Sequence, residues 1–227
     1  MAPHKKKIEA YLDCVSPYSF LAFSYLSQRK QALEDLNVEI EFIPVFLGGI
    51  MASSGNKPPM ALAAKSAYSP YDIKRAQKYF GLRFKVPEFF PFLSLLPQRC
   101  LTLVKEAYTE QYDALHKACF QALWLDHKDL SKPENMLAVL QAVFGAEQAP
   151  KILKDSQGPD VKKKLNDVTK HTAETLGAYG CPWFWVHDGK GKAEPFFGSD
   201  RFHYMWDFLD LPHQDLELVP APALGKL

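Results

Sequence analysis

The sequence lacks the features that mark several large classes of protein. Lys and Arg number 27 against 26 Asp and Glu, so a net charge of +1 provides no one-sided field for a nucleic-acid backbone or an anionic membrane surface. No apolar run approaches the roughly 20 residues that a membrane span requires, and no apolar stretch follows the N-terminal lysines as in a secretory signal. We therefore expect an intracellular protein with no nucleic-acid partner and no membrane span.

Cysteine is also scarce, and its spacing excludes the usual cysteine chemistries. The chain has four cysteines, none of them in a C-x-x-C pair, and its seven histidines stand at no recognised zinc-motif spacing from them. A disulfide framework and a metal site are both disfavoured. The sequence predicts reduced thiols at Cys14, Cys100, Cys119 and Cys181.

Strand patterns are confined to the two ends of the chain. A buried strand is predicted over 8–14 and an alternating one over 38–45, with a helix over 18–33 between them. Near the other end, short strands over Trp183–His187 and Ala193–Phe197 flank a glycine-containing loop, and a last helix opens at 198–201. The opening strand–helix–strand order favours a parallel βαβ unit.

The middle of the chain is predicted to be helical after a long loop. The loop runs from Gly48-Gly49 to Pro59. Apolar residues then recur at helical spacing over 101–122 and again over 161–176. Between those segments, a capping box at Ser131–Glu134 opens a helix that Gly145 ends. This order, βαβ, helices, then ββα, is that of a thioredoxin-type sheet interrupted by a helical insertion.

Ser16 and the Cys181-Pro182 pair are the first candidates for chemistry. Ser16 precedes a helix that begins with Pro17, where backbone N–H groups attract negative charge, so its hydroxyl could donate to a thiolate and lower a thiol's pKa. The alternative is a serine that only caps the helix. A cis Cys181–Pro182 bond would expose backbone groups to a peptide-like ligand, whereas a trans proline would only begin a strand.

Two further segments could bind the ends of an amino-acid-like ligand. Backbone N–H groups of Ser199 and Asp200 could hold a carboxylate and the Asp200 side chain an ammonium, and the alternative is a plain N-cap. Asn56 and Lys65 could bind a second carboxylate, or they could belong to an ordinary polar loop.

Taken together, these segments resemble the kappa-class glutathione transferases and their relatives, the 2-hydroxychromene-2-carboxylate isomerases, in the DsbA-like branch of the thioredoxin superfamily. The resemblance extends from about residue 8 to residue 209. It implies an α/β fold in which 1–48 and 178–227 form a thioredoxin-like βαβ…ββα domain and 49–177 form an all-helical insertion. Its motifs stand in family order: Asp13-Cys14-Val15-Ser16-Pro17-Tyr18-Ser19, Ser54-Gly55-Asn56-Lys57-Pro58-Pro59, Gly177-Ala178-Tyr179-Gly180-Cys181-Pro182 and Phe197-Gly198-Ser199-Asp200-Arg201.

The resemblance also implies a division of roles. Ser16 replaces the nucleophilic cysteine of the redox relatives, so glutathione supplies the sulfur as co-substrate and Ser16 stabilises its thiolate without attacking. The other implied glutathione-binding residues are Pro17 and Tyr18 beside Ser16, the cis proline Pro182 with the Cys181 backbone, Ser199 and Asp200 for the γ-glutamyl end, and Asn56 and Lys65 for the glycyl end. The second substrate would be a small hydrophobic electrophile or a peroxide, and the protein would be a homodimer.

Several alternatives stay open at this point. The activity could instead be glutathione-dependent cis–trans isomerisation of a chromene-carboxylate type of substrate, or the protein could be a non-catalytic glutathione- or peptide-binding module. Kappa members usually carry an apolar residue where this chain has Cys181, so that thiol either forms a mixed disulfide with glutathione or is packed and inert. The ending Gly225-Lys226-Leu227 is either close to the S-K-L peroxisomal signal or a chance tail. The resemblance fits a peroxisome or a mitochondrion, and the cytoplasm is a third alternative.

Overall fold

The structure is a computed structural model that describes residues 5–214. Four strands form one sheet in the order β2-β1-β3-β4, in which β1 runs parallel to β2 and antiparallel to β3, and β4 runs antiparallel to β3. The strands are β1 Lys6–Leu12, β2 Val38–Pro44, β3 Trp183–His187 and β4 Ala193–Phe197. The α/β fold and the strand–helix–strand opening predicted from the sequence are confirmed.

Most of the helices lie between β2 and β3 in the chain. The helices are α1 Pro17–Gln28, α2 Lys30–Asp35, α3 Leu47–Ser54, α4 Ala63–Phe80, α5 Leu95–Ala107, α6 Thr109–Trp124, α7 Pro133–Asp155, α8 Pro159–Glu174 and α9 Phe202–Phe208, with a short 3-10 turn at Pro59–Ala61. The division into a discontinuous domain, 1–48 with 178–227, and an insertion, 49–177, stays a prediction.

Alternation along β1 explains how the sheet is covered on both faces. Ile8, Ala10 and Leu12 are fully buried and belong to the larger core, which also contains the apolar face of α1. The intervening Tyr11 points to the other face and packs in a smaller cluster with Trp183 of β3. Burial of both faces fixes the register of β1, because a slip of one residue would exchange the two sets of side chains.

The predicted loop over 48–59 is partly wrong, because residues 47–54 form α3. Helix propensity disfavours Gly48 and Gly49, but close packing requires them. A Cβ added at Gly49 would lie 2.9 Å from Cγ2 of Thr169 in α8, and one at Gly48 would lie 2.6 Å from the Phe46 ring. The helix ends at Gly55, whose φ of 75° suits a residue without a side chain.

Three predicted helices differ from those observed. Residues 18–33 divide between α1 and α2 at Arg29, and 101–122 divide between α5 and α6 at Tyr108, whose φ and ψ of −143° and 55° are not helical. The Ser131 hydroxyl donates to the Asp129 carboxylate at 2.6 Å and does not cap α7. Gly145 ends the first helical segment of α7 as predicted, since its φ and ψ of 81° and 171° are not helical, and a second segment follows directly within the bounds given for α7. Apolar residues keep their helical spacing across each break, because the helical segments before and after it bury the same face against the core.

Candidate active site

The Ser16 hydroxyl makes two hydrogen bonds at the start of α1. Its Oγ accepts from the Ser19 backbone N–H at 3.2 Å, as an N-cap does, and donates to the Cys181 carbonyl at 3.0 Å. Pro17 occupies the first helical position, as predicted. Ser16 therefore caps α1 and also binds the segment that precedes β3, which lies 165 residues further along the chain.

The Cys181–Pro182 peptide bond is cis, and it faces the start of α1. The Pro182 carbonyl accepts from the Gly198 backbone N–H at 3.1 Å, which brings the segment after β4 to the same place. Three of the four sequence motifs thus meet around one peptide bond.

A cavity of about 710 Å³ opens beside this meeting point. Tyr18, Cys181, Ser199 and Asp200 line it, whereas Ser16 adjoins it and is 4% exposed. Much of the remaining wall is aromatic and comes from α1, α4, β4 and α9: Tyr25, Tyr79, Phe80, Phe197, Phe202 and Trp206. A largely apolar wall with a few polar groups is the usual composition of a small-molecule site.

Ser199 and Asp200 reach the cavity through a turn that requires glycine. Gly198 has a φ of 87°, and a Cβ there would lie 2.6 Å from the Asp200 carboxylate. Ser199 is 2% exposed, whereas Asp200 is exposed and forms an ion pair with Arg201. The alternative of an ordinary N-cap is not observed, since α9 begins at Phe202 without a side-chain cap.

The structure separates the two residues predicted for the second carboxylate. Asn56 lies next to the cis-proline segment, because its Nδ2 donates to the Tyr179 carbonyl at 2.6 Å and its Oδ1 accepts from the Lys57 backbone N–H at 2.8 Å. Lys65 is exposed on the first turn of α4 and does not line the cavity. Asn56 therefore joins the other motifs, and Lys65 does not.

Tyr18 connects the two sides of the cavity. Its hydroxyl donates to Asp72 of α4 at 2.5 Å, and burial together with the Asp72 charge raises the pKa of Tyr18. Tyr18 is thus a neutral phenol at physiological pH. Sequence reasoning missed Asp72, because the pattern of α4 marks its position only as a polar one that faces solvent.

Asp13 is the other residue whose importance the sequence did not indicate. Its carboxyl group is completely buried at the end of β1, and burial raises its pKa to about 6, although hydrogen bonds from Val15, Leu47 and Ser94 oppose that rise. An acidic residue directly after a buried strand was the available signal, but the donors that surround it come from distant segments.

The Cys181 side chain is packed away from solvent, which favours the inert alternative for this thiol. It belongs to the smaller core cluster with Tyr11 and Trp183, and it is 6% exposed. Burial raises the pKa of the Cys181 thiol well above its ordinary value, and the nearby Asp13 charge raises it further. Because the thiolate is the nucleophile, such a thiol reacts slowly.

We expect incubation with oxidised glutathione at pH 8 to leave the intact mass of the protein unchanged. The Ser16→Cys variant provides the positive control, since its new thiol lies beside the cavity and should form the mixed disulfide. An adduct on the parent protein that disappears in Cys181→Ser would contradict the expectation.

No helix within residues 5–214 is long and apolar enough to cross a membrane. Over the same stretch, no group of three or more His, Cys, Asp or Glu side chains is arranged to hold a metal ion.

A cis-proline segment held against a helix N-terminus, on a four-stranded mixed sheet, defines the class of protein. The family model of the DSBA-like thioredoxin domain matches residues 7–210. Glutathione S-transferase kappa 1 of Caenorhabditis elegans is 31% identical over 215 residues, which cover 92% of this chain and 93% of the relative. Glutathione S-transferase kappa 1 of Homo sapiens is 31% identical over 211 residues, which cover 90% and 91%. The chain belongs to the DSBA-like thioredoxin family and, within it, to the group of the kappa-class glutathione S-transferases.

A solved structure extends the similarity to the related isomerases at the level of the fold. The structure of a 2-hydroxychromene-2-carboxylate isomerase superposes with a TM-score of 0.74 at 19% identity, over 90% of this chain and 94% of that one. The family model and the two kappa 1 relatives confirm the family resemblance inferred from the four motifs.

Proposed function

We propose that this protein is a glutathione S-transferase of kappa type, which binds glutathione as a thiolate and adds the glutathionyl group to a hydrophobic electrophile or uses glutathione to reduce a peroxide. The observation that carries the proposal is the Ser16 hydroxyl, held 3.0 Å from the Cys181 carbonyl beside an aromatic cavity. Serine at positions 16 and 19 leaves no dithiol for disulfide exchange, so the reacting sulfur has to come from the ligand. The kappa 1 relatives, at 31% identity over nine-tenths of the chain, support this proposal.

Ligand binding would exchange one hydrogen bond for two. The Ser16 O–H turns from the Cys181 carbonyl to the sulfur, and that carbonyl becomes free to accept from the cysteinyl N–H of glutathione. Hydrogen bonding to the charged form lowers the pKa of the bound thiol, which releases its proton to solvent. The thiolate then forms a C–S bond to the electrophile, and the leaving group departs with its electron pair. Ser16 forms no covalent bond in this sequence.

Other residues would hold the tripeptide and the second substrate. Ser199 and Asp200, which line the cavity, would bind the γ-glutamyl end, and Asn56, which is hydrogen-bonded to the segment before the cis proline, would bind the glycyl end. Lys65 is exposed, and reaching the glycyl carboxylate would require its long side chain to extend across the surface. Rings such as Phe80, Phe202 and Trp206 would receive the electrophile.

Calorimetry with glutathione and S-methylglutathione tests the binding step. Glutathione should bind with release of a proton, detected as a dependence of the heat on the ionisation enthalpy of the buffer. S-methylglutathione, which has no thiol proton, should bind without that release. Absence of glutathione binding would contradict the proposal.

Turnover assays then separate the activities. We expect conjugation of 1-chloro-2,4-dinitrobenzene or reduction of cumene hydroperoxide at the expense of glutathione. Isomerisation of 2-hydroxychromene-2-carboxylate without either of these activities would favour the isomerase alternative. Binding of glutathione without turnover of any substrate would favour a non-catalytic module. The homodimer stays a prediction, and the tripeptide Gly225-Lys226-Leu227 lies outside the described residues.

A further inference from the structure

A buried carboxyl group holds the turn that precedes Ser16. Asp13 Oδ1 accepts from the Val15 backbone N–H at 3.0 Å. Its Oδ2 accepts from the Leu47 backbone N–H at 2.8 Å and from the Ser94 hydroxyl at 2.7 Å. The Asp13 side chain is fully buried and Ser94 is 1% exposed. If one of these hydrogen bonds is lost, water therefore has little access to replace it. Asp13 thus joins the turn at the end of β1 to the start of α3 and to the residue before α5.

Gln98, one helical turn beyond Ser94, holds the same turn from α5. Its Nε2 donates to the Leu12 carbonyl at 2.9 Å and to the Val45 carbonyl at 2.7 Å. Its Oε1 accepts from the Cys14 backbone N–H at 3.4 Å. Gln98 is fully buried, and its amide spans the ends of β1 and β2. Both polar atoms of this side chain are therefore bonded to backbone groups, at residues 12 and 14 after β1 and at residue 45 after β2.

The backbone between β1 and α1 therefore depends on side chains from far along the chain. Successive groups of the turn, the Leu12 carbonyl, the Cys14 N–H and the Val15 N–H, are paired with Gln98 or Asp13. Indole Nε1 of Trp124 in α6 donates to the Cys14 carbonyl at 2.9 Å. The turn then closes with a bond of 3.0 Å from the Ser16 N–H to the Asp13 carbonyl.

We propose that Asp13, Ser94 and Gln98 are positioning residues, which fix the direction in which the Ser16 hydroxyl faces the bound sulfur. The inference rests on the proposed function, because the group that Ser16 would face is the glutathione thiolate. A hydroxyl that stabilises a charge must be held within about 0.5 Å of its place, and a displacement of about 1 Å can cost about 100-fold in rate. Helix α5 thereby contributes to the chemistry without touching the ligand.

A thiol placed at position 16 reports on this effect without glutathione. In the Ser16→Cys variant, thiolate absorbance at 240 nm against pH measures how strongly the turn stabilises a negative charge there. The four native thiols do not interfere near neutral pH, because burial raises the pKa of each above its ordinary value. Adding Ser94→Ala removes one of the two donors to Asp13 Oδ2 and should raise the pKa of the introduced thiol by about 1.

Ser156→Ala is the matched control. The Ser156 hydroxyl is fully buried and donates to the Leu153 carbonyl at 2.7 Å, so its loss removes a hydrogen bond at the end of α7 and none that reaches Asp13 or the Ser16 turn. Stability should fall in this variant as in Ser94→Ala, and the pKa of the introduced thiol should stay as in Ser16→Cys alone.

Kinetics of the variants with serine at position 16 complete the test. In Ser94→Ala we expect kcat to fall about 10-fold and the pH–rate profile to move to higher pH, while the KM for glutathione changes less than 3-fold. Equal pKa values of the introduced thiol in the Ser94→Ala and Ser156→Ala backgrounds would overturn the positioning role. Failure of the parent protein to bind glutathione would overturn the proposed function and leave the titration of the introduced thiol interpretable.

Discussion

Replacing Ser16 by alanine should lower kcat/KM for glutathione and 1-chloro-2,4-dinitrobenzene roughly 10- to 100-fold. A hydrogen bond to a charged group contributes about 1.5–3 kcal/mol, and about 1.4 kcal/mol corresponds to a factor of ten. The same loss should raise the pKa of bound glutathione by about 1–2, measured from thiolate absorbance of the complex and from the pH–rate profile. The two shifts should agree, since both report the one interaction.

Stability has to be monitored in this variant. Ser16→Ala also removes the cap on the Ser19 N–H and leaves the Cys181 carbonyl without its donor, which together cost about 1–3 kcal/mol of folding free energy. Assays well below the unfolding temperature separate that cost from the loss of turnover.

Ser19→Ala is the matched control for Ser16→Ala. Ser19 occupies the second serine position of the Ser16-Pro17-Tyr18-Ser19 motif, is fully buried, and its Oγ has no hydrogen-bond partner within the part of the chain that the structure describes. Its substitution should leave both kcat/KM and the thiol pKa unchanged. A Ser16→Ala variant with an unaltered pH–rate profile would remove Ser16 from the chemistry.

Acid should destabilise the protein through His116, and substitution of His116 by phenylalanine should remove that sensitivity. The imidazole is fully buried, stacks on Phe120 at 5.1 Å and contacts Phe23 at 4.9 Å, and neither ring nitrogen has a hydrogen-bond partner among residues 5–214. Burial lowers the pKa of His116 from 6.5 to about 3.

The sign follows from the difference in bound protons. Between pH 6.5 and about pH 3 the unfolded chain binds a proton at His116 and the folded protein does not, so stability is complete above pH 6.5 and falls on acidification. At pH 5 the loss is about 2 kcal/mol, from roughly 1.36 kcal/mol for each pH unit below 6.5. Asp13 acts in the opposite direction between about pH 4 and pH 6, because its raised pKa makes the folded state bind the extra proton.

The comparison that isolates His116 is therefore the difference between parent and variant at each pH. Urea unfolding at pH 7.5, 6 and 5 measures this difference. Between pH 7.5 and pH 5, the free energy of unfolding of His116→Phe should rise by about 2 kcal/mol relative to that of the parent. Tyr112→Phe is the control, since Tyr112 lies 5.5 Å away in the same aromatic cluster and does not change protonation in this range. Parallel curves for parent and His116→Phe would refute the assignment.

Local sequence patterns predicted the sheet well because each strand is a short segment of five to seven residues. Trp183–His187 and Ala193–Phe197 were predicted with the bounds that they have, since glycines and a turn isolate them. Sequence patterns did not predict α3, because tertiary packing there overrides helix propensity. Gly48 and Gly49 permit a close approach to Phe46 and Thr169, and no local pattern in the sequence indicates that packing.

The site was predictable to the extent that it lies in contiguous motifs. Ser16, Cys181 and Asn56 come together as the resemblance implies. Asp72, Ser94 and Gln98 could not be foreseen, because each acts through a contact across 50 or more residues and has ordinary neighbours in the sequence. Lys65 shows the converse, a residue in the expected order whose position in the fold leaves it on the surface.

The pairing of β1 with β3 has a consequence for biosynthesis. The ribosome releases β1, α1 and β2 early, yet one edge of β1 has no partner until the segment from Trp183 onward has been translated. Ser16 likewise finds the Cys181 carbonyl only then. A nascent chain that stops before Pro182 therefore lacks the cis-proline segment against which the Ser16 hydroxyl is held, so the two halves of the site can meet only after the whole helical region between them has been translated.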